Sequence, residues 1–411
     1  MKIVQINCVP NGSTGHIASD IHNKLLELGY ESHFAYGVGQ CDLENTYKIS
    51  NWFDNHLHVY LSRYTGFHGF FSVFATLRFV KYLKQIKPDL VHLHNIHGYY
   101  INVPILFNYL KKNNIETMWT FHDCWPFTGK CTHYTVVGCD KWKTECANCP
   151  QRRQYPSSYW FDTSRIHYKY KKKLFTSLQD LTITTVSEWL KKQVEMSYLS
   201  KYPVVRIYNG IDVSKFKRCY NFEEIHKKYN ISAGYKIILG VASSWNERKG
   251  LKTFLEISKR LNPNEKIVLV GLNDLQITSL PKNIIGIKRT ENFQELAKLY
   301  GRADVFFSPS LEETFGLVTA EALACGTPVV VINSTACAEI VSDDVGIVLD
   351  DINNIDMIIN SFRNIFSKDY DFDKCQKHIQ DNYTKEKMIE NYINEYKHIL
   401  KINNTEQEKW N

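Results

Sequence analysis

The sequence predicts an α/β protein built from two doubly wound, Rossmann-like domains, and three observations carry this. Residues 2–8, K-I-V-Q-I-N-C, read as an apolar strand that runs into the small-residue turn P-N-G-S-T-G (10–15) and then a helix over 17–28. That is how a doubly wound sheet begins. The same order restarts at a strand over 236–241, followed by S-S-W-N-E-R-K-G (243–250) and a helix from Leu251. Residues 304–332 then give strand, polar loop, short helix and strand in one stretch, D-V-F-F-S-P-S-L-E-E-T-F-G-L-V-T-A-E-A-L-A-C-G-T-P-V-V-V-I. A chain of 411 residues with 44% hydrophobic composition can bury two cores.

The balance of 50 basic to 43 acidic residues gives a net charge of +7. This mild excess suits an anionic ligand or a membrane surface better than nucleic acid, which is not expected as a partner. The N-terminal residues are too short and polar a run for a signal peptide. No stretch reaches the roughly 18 to 20 apolar residues of a membrane span. The reading is cytoplasmic, with the eleven cysteines mostly reduced.

In the first domain, Gly29 ends the opening helix and residues 32–36 form the next strand. The turn at 10–15 is not a G-x-G-x-x-G and lacks a Walker lysine, which argues against nicotinamide and ATP. Residues 56–82 are crowded with aromatics interleaved with Arg63, Arg78 and Lys81. Buried helix packing and a lipid-facing surface both fit that composition. L-V-H-L-H-N (90–95) and the strand over 118–121 each end in polar groups, the second in His122-Asp123. A histidine just past a strand's carboxyl end stands where such sheets bind ligands.

The composition changes at residues 124–150. Cys131, Cys139, Cys146 and Cys149 supply the donor set of a tetrahedral thiolate site, and zinc would staple an otherwise irregular insertion. The spacing of the first pair departs from standard zinc modules, and reduced, packed thiols are the competing reading. Residues 168–174, Y-K-Y-K-K-K-L, read as a solvated helix face. A β-branched strand over 181–186 follows, and V-V-R-I-Y-N-G-I-D (204–212) leads into the second domain. The boundaries expected are 1–208 for the first domain, 209–216 for a linker, 217–385 for the second domain and 386–411 for a terminal helix and tail.

In the stretch 304–332, Ala320, Ala322 and Ala324 favour a helix over 317–324, and Gly326 and Pro328 stop it. Glu313 falls in the loop and Glu321 on the helix. On one continuous helix the two would stand roughly 80° apart. The helix N-terminus near Phe315, Gly316 and Leu317 attracts phosphate. Two solvated glutamates are the plainer reading of the carboxylates alone.

The pattern E-T-F-G-L-V-T-A-E followed by A-L-A-C-G-T-P-V-V resembles the signature of family-4 retaining glycosyltransferases of the GT-B architecture. The cysteine-bearing loop resembles a subgroup used in exopolysaccharide and O-antigen assembly. The resemblance implies two Rossmann-like domains facing a cleft, with the terminal helix packed back on the first. It implies a nucleotide-diphosphate sugar as donor and a glycan or polyprenyl-linked saccharide as acceptor. A hexose-type sugar would move to an acceptor hydroxyl with retained configuration, at the cytoplasmic face of the membrane. It assigns Glu313 to sugar hydroxyls, Glu321 to ribose, His122 to the donor sugar and Lys249 to the phosphates. Gly12 and Gly15 would approach the phosphates and the acceptor. The family's phosphate-binding arginine falls on or near Ser243 here, and Arg248 is its replacement candidate. Lys249 and a helix N-terminus can stand in for a catalytic metal, so no D-x-D is required. A sugar-nucleotide epimerase or phosphorylase on the same architecture, or a non-catalytic zinc-stapled binding protein, are the alternatives.

Overall fold

The computed structural model describes residues 1–368 and 370–402. The N-N-T-E-Q-E-K-W-N tail, which reads as frayed in the sequence, lies outside the described residues. The chain divides into two units, Met1–Tyr208 together with the chain from Ile389 onward, and Asn209–Met388.

The strands of the first unit are β1 (Lys2–Asn7), β2 (Glu31–Tyr36), β3 (Thr46–Lys48), β4 (Leu90–Leu93), β5 (Glu116–Phe121), β6 (Leu181–Thr185) and β7 (Val204–Arg206). They form one sheet in the order β3-β2-β1-β4-β5-β6-β7, and every pairing is parallel. Five of the six β1 residues are buried, three of them apolar, and β4 is buried throughout, as expected of strands covered on both faces. Strand β3 carries no apolar signature. It is the partly exposed edge strand T-Y-K, where packing asks little of the sequence.

The second unit holds β8 (Lys236–Val241), β9 (Glu265–Val270), β10 (Ile284–Ile287), β11 (Val305–Ser308), β12 (Val329–Ile332) and β13 (Gly346–Leu349). Their order is β10-β9-β8-β11-β12-β13, again all parallel. Its core gathers Phe254, Phe307 and Phe362 edge to face, with ring centroids 5.2 and 5.1 Å apart. In both sheets the order reverses beside the first strand, at β1/β4 and at β8/β11. Loops leaving the carboxyl ends of strands at such a switch point are where doubly wound sheets take ligands.

Two sequence expectations need correction. The opening helix spans Gly12–Glu27, so Gly12 and Gly15 lie in its first turn and not in a preceding loop. Gly12 enters it at φ +80°, and a Cβ on Gly15 would sit 2.8 Å from the Pro10 carbonyl oxygen, so only glycine lets the strand exit pack this closely. The helix Ser164–Phe175 is also not a uniformly solvated face. Its Lys171 is buried, with the ammonium 3.8 Å from the Trp125 ring centre and donating to the Trp125 carbonyl and to the Thr128 carbonyl at 2.9 Å. Burial lowers this ammonium to about 7.

The helix Lys385–Ile399 returns the chain to the first unit. There the Tyr396 hydroxyl lies 2.6 Å from His92 Nδ1, and His92 Nε2 lies 2.7 Å from Thr120 Oγ1. His92 therefore ties the terminal helix to β4 and β5.

Candidate functional site

In the second unit the loops after β8 and β11 meet. After β8, the Trp245 indole N–H donates to the Val270 carbonyl at 2.9 Å and packs on Phe254, fixing the loop's path. Asn246 caps the short turn Glu247–Lys249 by accepting the Lys249 N–H at 3.2 Å. Gly250 follows at φ +74°, and a Cβ there would lie 2.6 Å from the Pro309 carbonyl oxygen, so the two loops touch backbone to backbone. Arg248 Nη1 donates to the Glu312 carbonyl at 2.8 Å, while the Leu311 N–H donates to the Arg248 carbonyl at 2.9 Å. The Lys249 ammonium pairs with the Glu313 carboxylate, each side chain keeping 15% of its surface exposed. Arg248 thus braces the loop that presents Glu313, and Lys249 neutralises Glu313 directly.

Glu313 lies in the loop as expected, and its N–H donates to Thr335 Oγ1 at 2.8 Å. Phe315 is buried and meets Tyr383 edge to face at 6.0 Å. Gly316, at φ +99°, precedes the helix Leu317–Ala324, which matches the expected span residue for residue. Glu321 on that helix has a separate partner, accepting from the Tyr300 hydroxyl at 2.8 Å. Burial raises its carboxyl to about 7, against the opposing pull of the tyrosine hydrogen bond. Neither Tyr300 nor Thr335 carries a sequence signal of its role.

In the first unit the ends of β4 and β5 bear histidines. His122 Nε2 stands 3.1 Å from His94 Nδ1, and His94 Nε2 stands 3.2 Å from Gln5 Oε1. Gln5, His94 and His122 thus form one hydrogen-bonded row, in which each neutral ring donates from one nitrogen and accepts at the other. Burial holds both rings neutral, lowering His122 to about 4 and His94 well below its ordinary value.

Beyond them His97 Nε2 lies 2.8 Å from Asp123 Oδ2, and His97 Nδ1 lies 3.0 Å from the Tyr155 hydroxyl. Burial alone would raise the Asp123 carboxyl. The His97 imidazole and the Trp125 N–H beside it together more than offset this and hold it below the ordinary aspartate value. The His97–Asp123 pair went unread in the sequence, because its members come from different strand ends. At the end of β1, the Asn7 amide donates to the Val9 carbonyl at 2.9 Å and its oxygen accepts the Asn95 N–H at 3.2 Å, fixing the approach to Gly12.

The expected zinc donors Cys131, Cys139, Cys146 and Cys149 are all free thiols, and Cys146 is buried. The Cys131 and Cys149 sulfurs stand 3.8 Å apart, whereas Cys146 Sγ accepts the Gly129 N–H at 3.2 Å. Among the described residues no group of three or more His, Cys, Asp or Glu side chains is arranged to hold a metal ion. The insertion is held by apolar packing, with the Trp142 ring 5.1 Å from Phe127 and 5.0 Å from Tyr134. The Tyr168 hydroxyl, which donates to the Trp142 carbonyl at 2.9 Å, adds to this.

Both units match known protein families. Residues 15–215 match the family model described as Glycosyltransferase Family 4, and residues 221–387 match Glycosyl transferases group 1. The putative colanic acid biosynthesis glycosyl transferase WcaC of Escherichia coli (strain K12) is 22% identical, over 97% of this chain and 100% of that one. Among solved structures, sucrose-phosphate synthase from Thermosynechococcus elongatus superposes with a TM-score of 0.71 at 15% identity, over 98% of this chain and 100% of that one. Anabaena Alr3699/HepE, solved in complex with UDP-glucose, gives 0.67 at 14% identity, over 97% of this chain and 100% of that one. The two family models between them span both units, and the chain belongs to the family-4 glycosyltransferases of the GT-B architecture.

Proposed function

We propose that the protein transfers a hexose from a nucleotide-diphosphate sugar to a hydroxyl of a glycan or polyprenyl-linked saccharide, with retained anomeric configuration, in surface-polysaccharide assembly on the cytoplasmic side of the membrane. The observation that carries this reading is the Lys249–Glu313 pair, held where the loops after β8 and β11 meet. A diphosphate drawn to the Lys249 ammonium leaves the sugar beside a carboxylate that needs a new partner. The sugar hydroxyls and the cationic anomeric centre supply one. The HepE complex, whose ligand is UDP-glucose, supports a uridine donor, and the likeness to WcaC supports an exopolysaccharide product.

In this reaction the bond from the anomeric carbon to the diphosphate oxygen breaks and the acceptor oxygen bonds on the same face, its proton passing to the departing diphosphate. Lys249 stabilises the charge that gathers on the leaving group. Arg248 acts through the loop that it braces. Glu313 holds sugar hydroxyls, and Glu321 takes the ribose hydroxyls as a carboxylate. Phe315, Gly316 and Leu317 bring the start of a helix to the nucleotide. His122 hydrogen-bonds a sugar hydroxyl. Gly12 and Gly15, without side chains, let phosphate and acceptor come close to the backbone.

Thermal melts across a panel of nucleotide sugars and free nucleoside diphosphates test the reading. A true donor at 100 times its dissociation constant stabilises by about 2.7 kcal/mol. The same donor should release nucleoside diphosphate on slow hydrolysis. Release of nucleoside monophosphate, or stabilisation by no member of the panel, would refute it.

A further inference from the structure

Three segments of the first unit converge beside His122. The loop after β4 brings His97, the exit of β5 brings Asp123, and the irregular stretch after the cysteines brings Tyr155. The Tyr155 hydroxyl donates to the His97 carbonyl at 3.0 Å and lies 3.0 Å from His97 Nδ1. Burial pushes that hydroxyl well above the ordinary tyrosine range. Yet the residue as a whole keeps 46% of its surface exposed, so what faces solvent is ring and backbone. Tyrosines ordinarily cover the ring and leave the polar tip in water. Tyr155 is held the other way round.

Its placement is fixed in advance. The Ser158 N–H donates to the Arg152 carbonyl at 2.9 Å and the Lys130 ammonium donates to the same carbonyl at 2.7 Å, which closes the loop that carries Tyr155. The Tyr99 ring meets the Tyr155 ring edge to face at 5.8 Å. Asp123, 9% exposed and ionised, accepts the Trp125 N–H at Oδ1 at 2.8 Å and turns Oδ2 to His97. Each carboxylate oxygen can accept about two hydrogen bonds, so the group keeps capacity for a hydroxyl donor.

An open aromatic ring beside a carboxylate and an imidazole suits a saccharide. The axial C–H groups of a pyranose make an apolar, slightly positive face, which meets the negative face of an aromatic ring. The hydroxyls at its rim donate to a carboxylate. A phosphate would be repelled by Asp123, and a lipid chain would leave that carboxylate without a donor. Asp123 also follows His122 directly in the chain, so a sugar held there lies next to the place of the donor sugar, as transfer requires.

We propose that Tyr155, Asp123 and His97 form the subsite for the acceptor sugar, with the Tyr155 ring under one pyranose face and Asp123 and His97 taking its hydroxyls. This rests on the transferase reading and adds to it the residues that select the acceptor.

Saturation-transfer NMR tests the subsite without any donor, using the methyl glycosides of glucose, galactose, mannose, rhamnose and N-acetylglucosamine as probes. Wild-type protein irradiated at its aromatic protons should pass saturation to at least one glycoside, most strongly to the C–H groups of one ring face. Tyr155→Ala should weaken the binding of that glycoside by about tenfold, whereas Tyr155→Phe, which keeps the ring, should stay within about twofold of wild type. Asp123→Asn should cost roughly fivefold. Tyr155→Ala should keep the melting temperature and the donor-induced shift of the wild type, and in transfer assays it should raise the acceptor KM but not the donor KM. Absence of saturation transfer to every glycoside would overturn the subsite, even with the donor-induced shift intact. So would undiminished binding by Tyr155→Ala, or an equal loss in Tyr155→Phe. Glycoside binding that depends on Tyr155 in a protein that no nucleotide sugar stabilises would uphold the sugar site and refute the transferase reading alone.

Discussion

At the carboxyl ends of β8 and β11 the polar side chains are charged and partly exposed, whereas the histidines His94 and His122 at the ends of β4 and β5 are neutral and buried. Lys249, Glu313 and Arg248 form the first group, tied across two loops by an ion pair and backbone hydrogen bonds. His94 and His122 form the second, and burial denies both rings a proton at neutral pH. The difference teaches a division of labour. A lysine with a carboxylate partner can answer a diphosphate and a cationic sugar, because its charges are already ordered and reachable. A buried chain of neutral imidazoles can only give and take hydrogen bonds, which suits hydroxyl groups. Each unit has the same sheet order at its switch point, so the chemistry lies in the loops and not in the fold.

The largest effect should come from breaking the charged side of this comparison. Lys249→Ala leaves the Glu313 carboxylate without its counter-charge where phosphates must bind. Turnover should fall by about a hundredfold or more, near 3 kcal/mol, and donor affinity should weaken with it, since the ammonium meets phosphate in both ground and transition states. Steady-state kinetics with a range of donor concentrations would show both. A loss of affinity with turnover intact would reduce Lys249 to a binding residue.

The neutral side can be broken by acid. A histidine whose folded value lies below its unfolded one adds stability that is present above the unfolded value and is lost as pH falls towards the folded one. His92, His94 and His122 all belong to this class, each lowered first by burial. Between pH 6.5 and 5.5 each should remove on the order of 1 kcal/mol from the first unit. Hydrogen exchange followed by peptide across that window should show residues 90–122 losing protection before residues 236–332. Equal loss in both regions would contradict the contrast.

How much of this was legible in the sequence follows from how local each feature is. Glu313, Gly316, the helix Leu317–Ala324 and Glu321 come from one continuous stretch whose apolar runs, glycines and alanines dictate their own geometry. Lys249 was readable only through the family resemblance, which carries a lysine just before Gly250. The partners were not readable. Arg248 meets the Glu312 carbonyl, Tyr300 meets Glu321 and Thr335 meets the Glu313 N–H only because the fold brings distant loops and helices together. Lys171 misled for a related reason. A run of lysines reads as a solvated face, and only the insertion folded over the helix shows that one of them is enclosed. In the cysteine-bearing insertion the donor set was legible from composition, whereas the packing of Phe127, Tyr134 and Trp142 was not.

The smallest effect concerns Glu321. Its carboxyl is raised to about 7, so in the ligand-free protein its stabilising contribution is complete below the ordinary carboxyl range and is lost as pH rises through 7. Ribose hydroxyls bind the carboxylate better than the acid, so donor affinity should rise as pH goes from 6 to 8, by less than about tenfold. Glu321→Gln should flatten that dependence in a calorimetric titration while leaving turnover at saturating donor nearly unchanged. A pH dependence that survives the substitution would assign the titration to another group.

The measurement that tests the central claim most directly is turnover by Glu313→Gln. Glutamine keeps the size of the side chain and one acceptor oxygen but removes the charge that faces Lys249 and, in the reaction, the cationic sugar. The account predicts a melting temperature and donor affinity close to wild type, with the rate of nucleoside diphosphate release reduced by about a hundredfold or more. A folded Glu313→Gln protein that turns over at the wild-type rate would contradict it.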